Sequence, residues 1–171
     1  MEWQRRIRAI PDWPRPGVVF RDITPLLQDA AAFAASVEAL AAAVRPWRPT
    51  HVVGIEARGF IFGAALASAL RLGFVPVRKK GKLPAATVEE EYALEYGSDR
   101  IAMHVDGLGP DMRPVLIDDL LATGGTAAAC DRLARKVGAE LAGAAFVIEL
   151  AALAGRRALR ADLPVATLMT L

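Results

Sequence analysis

The chain has 171 residues, 54% of them hydrophobic and 23% charged. That balance excludes a disordered polypeptide and supplies enough apolar side chains for one buried core, so a single domain over residues 1–171 is expected. A net charge of +2 and a lone cysteine, Cys130, exclude an intramolecular disulfide framework and give no reason to expect a nucleic-acid partner.

In chain order, Met1–Ile10 carries three arginines but no apolar run of the signal-peptide kind. Proline-rich turns at Pro11–Pro16 and Pro46–Pro49 bracket an alanine-rich helix predicted over Asp29–Arg45, with Asp29 as its N-cap. His51–Glu56 reads as a short strand, 59–72 as a helix and Gly73–Val77 as a second strand. The alanine-rich stretches Ala30–Val44 and Gly59–Leu70 are too short to span a bilayer. A soluble cytoplasmic protein with no membrane partner is expected. Lys79–Gly97 mixes basic, proline and acidic residues without clear periodicity and reads as a long loop of some hairpin character. Within it Glu89, Glu90 and Glu91 read as a solvated acidic face. Arg113–Asp118 is a predicted strand, Gly124–Val137 a helix, and Leu141–Leu150 and Val165–Thr170 two further buried strands. Strands that are apolar on both faces and alternate with helices predict a doubly wound α/β domain with a mainly parallel sheet flanked by helices. Ligands of such sheets bind beyond the carboxyl ends of the strands, here after Glu56, Val77, Asp119 and Glu149.

The segment Val115–Ala129 (VLIDDLLATGGTAAA) carries the most chemistry. An apolar strand delivers Asp118 and Asp119, and Ala122, Thr123, Gly124, Gly125 and Thr126 then lead into a helix. Adjacent glycines let successive N–H groups turn into one concavity, the threonines add hydroxyls, and the helix N-terminus adds a positive dipole end. That is a cradle for a phosphate monoester. Two carboxylates before it can accept hydrogen bonds from a vicinal diol, and the two together describe a ribose 5-phosphate. The segment lacks the lysine of a Walker loop, which excludes the common P-loop nucleotidase.

This loop resembles that of the type I phosphoribosyltransferases. With Pro16–Leu27 (PGVVFRDITPLL), Val52–Ala67 (VVGIEARGFIFGAALA), Val75–Pro84 (VPVRKKGKLP) and Tyr92–Leu108 (YALEYGSDRIAMHVDGL) in that order, the chain is similar to the adenine phosphoribosyltransferase family over almost its whole length. The resemblance implies adenine and 5-phosphoribosyl 1-pyrophosphate as substrates, AMP and pyrophosphate as products, Mg²⁺ bound through substrate oxygens rather than by direct protein ligands, and a homodimer. It assigns the ribose 5-phosphate to Asp118, Asp119 and Ala122–Thr126. The pyrophosphate falls to Glu56, Ala57 and Arg58, with a non-proline cis peptide in that turn, and to Arg78, Lys79 and Lys82. Catalytic roles go to Arg58 and to Glu95, the latter meeting N7 of the base from a mobile lid over residues 79–97, with Tyr96 closing beside it. An N-terminal hood, residues 1–28, presents Val19, Phe20 and Arg21 to the base, with Leu150 as the other wall. A 6-oxopurine transferase is the rival within the enzyme class. A purine-sensing regulator of the same fold is the rival outside it, disfavoured by the presence of both Glu95 and Arg58.

Overall fold

The structure, a computed structural model, describes residues 2–93 and 98–171. It divides into two compact units, residues 1–39 and 40–171.

In the first unit a 3₁₀ turn at Glu2–Arg6 precedes a two-stranded antiparallel ribbon of β1 (Arg8–Ile10) and β2 (Phe20–Asp22), followed by a short helix α1 (Thr24–Gln28). Three-residue strands are too short to show an alternation in sequence, and neither was expected. Asp22 organises the junction. Its carboxylate accepts the Thr24 N–H at 2.8 Å and the Arg8 guanidinium at 2.6 and 3.1 Å. The Thr24 hydroxyl and N–H, followed by Arg8, hold its pKa down at about 2, against an ordinary 3.8. A depressed folded-state pKa contributes stability that is complete above the unfolded value and lost as pH falls through the folded one. Asp22→Asn is therefore expected to lower the melting temperature at pH 7, with the gap to wild type closing between pH 4 and about 2. Thermal melts across that range check this, and a gap independent of pH would exclude the linkage. Helix α2 (Ala30–Val44) starts as expected, with Asp29 accepting the Ala32 N–H at 3.0 Å. The unit boundary falls inside it.

The second unit is built on a seven-stranded sheet in the order β5–β6–β4–β3–β7–β8–β9. Strands β3 (His51–Ile55), β4 (Gly73–Lys79), β7 (Pro114–Leu121), β8 (Gly143–Glu149) and β9 (Val165–Thr170) run parallel. Crossover helices α3 (Arg58–Leu70) and α4 (Gly125–Lys136) follow β3 and β7. β8 is buried throughout, as a strand covered on both faces must be. The sheet, mostly parallel and flanked by helices, is the one expected. Between β8 and β9 the chain makes only two 3₁₀ turns, Ala151–Leu153 and Gly155–Ala158. β9 ends the sheet cleanly: the Leu171 N–H donates to Glu149 O at 2.8 Å, and the Leu171 carbonyl accepts from Ala151 at 2.8 Å.

Two expectations need correction. Lys79–Gly97 is not one long loop. β4 runs to Lys79, and β5 (Thr87–Ala93) pairs antiparallel with β6 (Ser98–His104), itself antiparallel to β4 at the sheet edge. Nor is the triple glutamate a uniform solvated face. With the period of two of a strand, Val88, Glu90 and Tyr92 fall on one side of β5, and Val88 and Tyr92 pack on the core. Glu90, its side chain only 14% exposed, meets Arg132 and Lys136 of α4. Glu89 and Glu91, on the other side, pair with Lys80 and Arg100.

Close backbone packing sets α3 against the sheet. The Phe74 ring occupies the space where a Cβ on Gly54 or Gly63 would stand, 2.6 and 2.8 Å from its nearest atoms. A Cβ on Gly59 would come within 2.8 Å of Asp118 Oδ1 and 3.0 Å of the Ile117 carbonyl. The first turn of α3 thus lies directly against the end of β7.

Candidate active site

β7 is longer than expected, pairing with β8 through Leu121↔Glu149, so Asp119 as well as Asp118 belongs to the strand. Leu120 and Leu121 carry the apolar pairing two residues further. The chain then turns through Ala122–Gly124 into α4, where Gly124 adopts φ +80° as the residue before the helix. Asp118, Leu120, Leu121, Ala122, Thr123 and Gly124 line a cavity of about 70 Å³, partly open to solvent, together with Gly125, Thr126, Ala127 and Phe146. The acid and the glycine–threonine loop therefore share one cavity, with the N-terminus of a 12-residue helix at its wall.

Asp119 is placed differently from Asp118. Its carboxylate is held by Arg58 Nε at 2.9 Å and its side chain is 5% exposed. Its N–H donates to Asp118 Oδ1 at 2.9 Å. Burial pushes the Asp118 carboxyl well above the usual carboxylate range, and the charge of Asp119 adds to that. Burial also raises Asp119, with Arg58 pulling against it. Two neighbouring carboxyls withdrawn from water each disfavour the other's charged form. Arg58 opens α3 immediately after Glu56–Ala57, and that peptide is cis, one of the two places where the resemblance put it.

The basic cluster is organised by a residue that sequence reasoning valued only for its backbone. The Glu56 carboxylate accepts Arg78 Nη2 and Nε at 3.0 and 3.2 Å and the Lys79 N–H at 3.1 Å. Arg78, and after it the Lys79 N–H, draw its pKa downward against a desolvation penalty. Arg78 Nη1 also donates to the Lys82 carbonyl at 2.9 Å, folding 78–82 into a tight turn. The Lys79 ammonium pairs with Asp99 at 3.0 Å, while Lys82 is exposed. Tyr92, on β5, donates to Asp99 at 3.4 Å. Among the described residues no three His, Cys, Asp or Glu side chains form a group that could hold a metal ion.

Val19, Phe20 and Arg21 lie in the first unit, where the Trp13 ring meets Phe20 edge-on with centroids 4.4 Å apart. Leu150 follows β8 in the second unit, its N–H donating to Leu121 O at 3.0 Å. Glu95 and Tyr96 lie outside the described residues. Sequence reasoning also passed over Gly155. Its Cα approaches so closely that a Cβ there would stand 2.2 Å from Ala122 O, and its own carbonyl would be 2.1 Å from a Cβ on Gly124. A glycine in a post-strand turn was its sole signal.

Comparison with known proteins agrees with this geometry. Residues 23–163 match the family model of the phosphoribosyl transferase domain. An adenine phosphoribosyltransferase of Synechococcus sp. (strain JA-3-3Ab) is 52% identical over 99% of this chain and 97% of its own length. One from Methylobacterium sp. (strain 4-46) is 57% identical over 95% of this chain and 91% of its own. Among solved structures, the adenine phosphoribosyltransferase of Thermoanaerobacter pseudethanolicus superposes with a TM-score of 0.96 at 46% identity, covering 99% of this chain and 98% of that one. The Saccharomyces cerevisiae enzyme, complexed with an imino-altritol bisphosphate and adenine, gives 0.93 at 36% identity over 98% and 96%. With a shared fold, a shared loop and relatives this similar from end to end, the chain belongs to the adenine phosphoribosyltransferase family.

Proposed function

We propose that this chain transfers the 5-phosphoribosyl group of phosphoribosyl pyrophosphate to N9 of adenine, giving AMP and pyrophosphate in purine salvage. One observation carries the reading: Asp118 and the Ala122–Thr126 loop line the same cavity, at the mouth of α4. The loop's N–H groups, its threonine hydroxyls and the helix dipole take the 5-phosphate. Asp118 and Asp119 accept the ribose hydroxyls, with Arg58 fixing the rotamer of Asp119. Positive charge growing on the sugar is then met by carboxylates, and negative charge on the leaving pyrophosphate by Arg58, Arg78, Lys79, Lys82 and the backbone of Glu56 and Ala57. Catalysis of this kind is mostly positioning and electrostatic complementarity.

Mg²⁺ fits as a cation carried by the substrate. The oxygen donors nearest the cavity are the carboxyl of Asp118 and, beside it, that of Asp119, ligands of the kind Mg²⁺ takes alongside substrate oxygens. Such an ion would neutralise charge on the leaving group. Val19, Phe20 and Arg21 of the hood and Leu150 read the base, Phe20 by stacking. Glu95 exchanges a proton with N7, and Tyr96 closes the lid over it. The chain acts in the cytoplasm, consistent with its one buried free thiol at Cys130. It does so as a homodimer, for which the exposed Ile61 on the outer face of α3 is a candidate contact.

The test is a radiolabelled-base assay with phosphoribosyl pyrophosphate and Mg²⁺, run in parallel on adenine, hypoxanthine and guanine. AMP formation confined to adenine is expected. Conversion of an oxopurine would overturn the base reading, and turnover of no base would overturn the enzyme itself.

A further inference from the structure

The turn between β8 and β9 is fastened more firmly than a surface connection requires. Arg156 donates from Nε to both Glu149 oxygens at 2.8 and 3.0 Å, and from Nη2 to Oε2 at 2.8 Å. It also reaches the Val165 carbonyl at 3.2 Å and Thr167 Oγ1 at 3.1 Å, and Thr167 donates to the same Glu149 carboxylate at 3.0 Å. Glu149 is 8% exposed, so this is a partly buried, forked ion pair whose geometry a lysine cannot reproduce. The residue before Arg156 is Gly155, whose backbone packs against Ala122 and Gly124 with no room for a Cβ on either glycine. The ends of β8 and β9 therefore fix Arg156, Arg156 fixes Gly155, and Gly155 is the floor of the 122–126 loop.

We propose that Arg156 is a positioning residue for the ribose-phosphate loop, acting through Gly155 and anchored by Glu149 and Thr167. The inference rests on the phosphoribosyl-transfer reading of the cavity. Arg156 touches no substrate; it sets where the loop's N–H groups point. A purely structural role would lower stability and leave the selectivity of the kinetic effect undefined. A positioning role loads the effect on phosphoribosyl pyrophosphate.

The experiment compares wild type, Arg156→Ala, Arg156→Lys, Glu149→Gln and, as a stability control, Trp47→Leu. Trp47 packs on Gly143 at the opposite end of β8. Measured are melting temperature, KM for each substrate, and binding of ribose 5-phosphate by calorimetry. For Arg156→Ala, a KM for phosphoribosyl pyrophosphate raised about tenfold is expected, with a matching loss of ribose 5-phosphate affinity and the adenine KM within about twofold. Arg156→Lys, which keeps the charge but not the fork, and Glu149→Gln, which keeps the side-chain length and shape, should fall between and serve if the alanine variant does not fold. Trp47→Leu should lose stability without shifting either KM. Unchanged phosphoribosyl pyrophosphate KM in all three site variants, or an equal shift in Trp47→Leu, would overturn the proposal. A wild type that turns over no base but binds ribose 5-phosphate would sink the enzyme reading alone, and the affinity series would still decide the role of Arg156. A wild type that binds no ribose 5-phosphate would overturn both.

Discussion

Replacing Gly124 by alanine is expected to raise the KM for phosphoribosyl pyrophosphate about a hundredfold, the scale at which an ångström of misplacement costs catalysis. Two independent costs converge there. At φ +80° any residue with a Cβ carries about 1–2 kcal/mol of left-handed strain. The added methyl would also stand 2.1 Å from the Gly155 carbonyl and 3.0 Å from the Ala158 Cβ. The nearer atom is backbone, so no rotamer change can relieve the contact. The loop must lift away from Gly155, taking with it the N–H groups that form the cradle. Gly138 separates the two costs. It has φ +83°, and a Cβ there would meet only the Pro110 ring, at 3.1 Å. It follows the far end of α4, 12 residues long and so about 18 Å from the loop. Gly138→Ala should lower the melting temperature while leaving the KM alone. Steady-state kinetics and thermal melts on the two variants check this. Equal kinetic effects would mean that the strain, not the Gly155 contact, governs the site.

Those two glycines also show what the sequence could and could not disclose. β3, β7 and β8 were legible because strands buried on both faces must be apolar nearly throughout, whereas β9, expected as a buried strand, is only half-buried at the sheet edge; Asp29 was legible because a cap acts on its own neighbours. The cavity lined by Asp118 and the Ala122–Thr126 loop was legible for the same reason: its acid, glycines and threonines are adjacent in the chain. The β5–β6 hairpin was legible only as hairpin character in a long loop, because its inward-facing Glu90 is neutralised by Arg132 and Lys136, 42 residues and more along the chain. A buried glutamate reads as solvated until its partners are known. Glu56 was taken for a backbone contact since nothing local announces its grip on Arg78, 22 residues away. Gly155 was passed over for the same cause, its partners Ala122 and Gly124 lying on the connection after β7, and Arg156 because its partners on β8 and β9 meet it only once those strands are paired. What was legible was local chemistry, and what was hidden was long-range packing that makes local chemistry precise.

Glu95→Gln is expected to slow AMP formation by about a hundredfold in kcat, at the low end of what a positioned proton-transfer group contributes, while the KM for phosphoribosyl pyrophosphate stays within about twofold. As N9 attacks C1, positive charge accumulates on the purine unless N7 exchanges a proton, and a carboxyl can relay one where an amide cannot. The amide of glutamine still donates a hydrogen bond to N7. It therefore separates two roles that Glu95→Leu removes together. If proton exchange governs, glutamine and leucine are both slow. If a hydrogen bond suffices, glutamine stays near wild type and only leucine falls, and the acid–base role is lost. Glu95 follows β5, whose root is tied to α4 through Glu90. Neither substitution touches those anchors. A large rise in the phosphoribosyl pyrophosphate KM would therefore count against a role confined to the base and would move Glu95 to the sugar side of the reaction. Single-turnover measurements, which exclude slow product release, decide whether the loss lies in the chemical step.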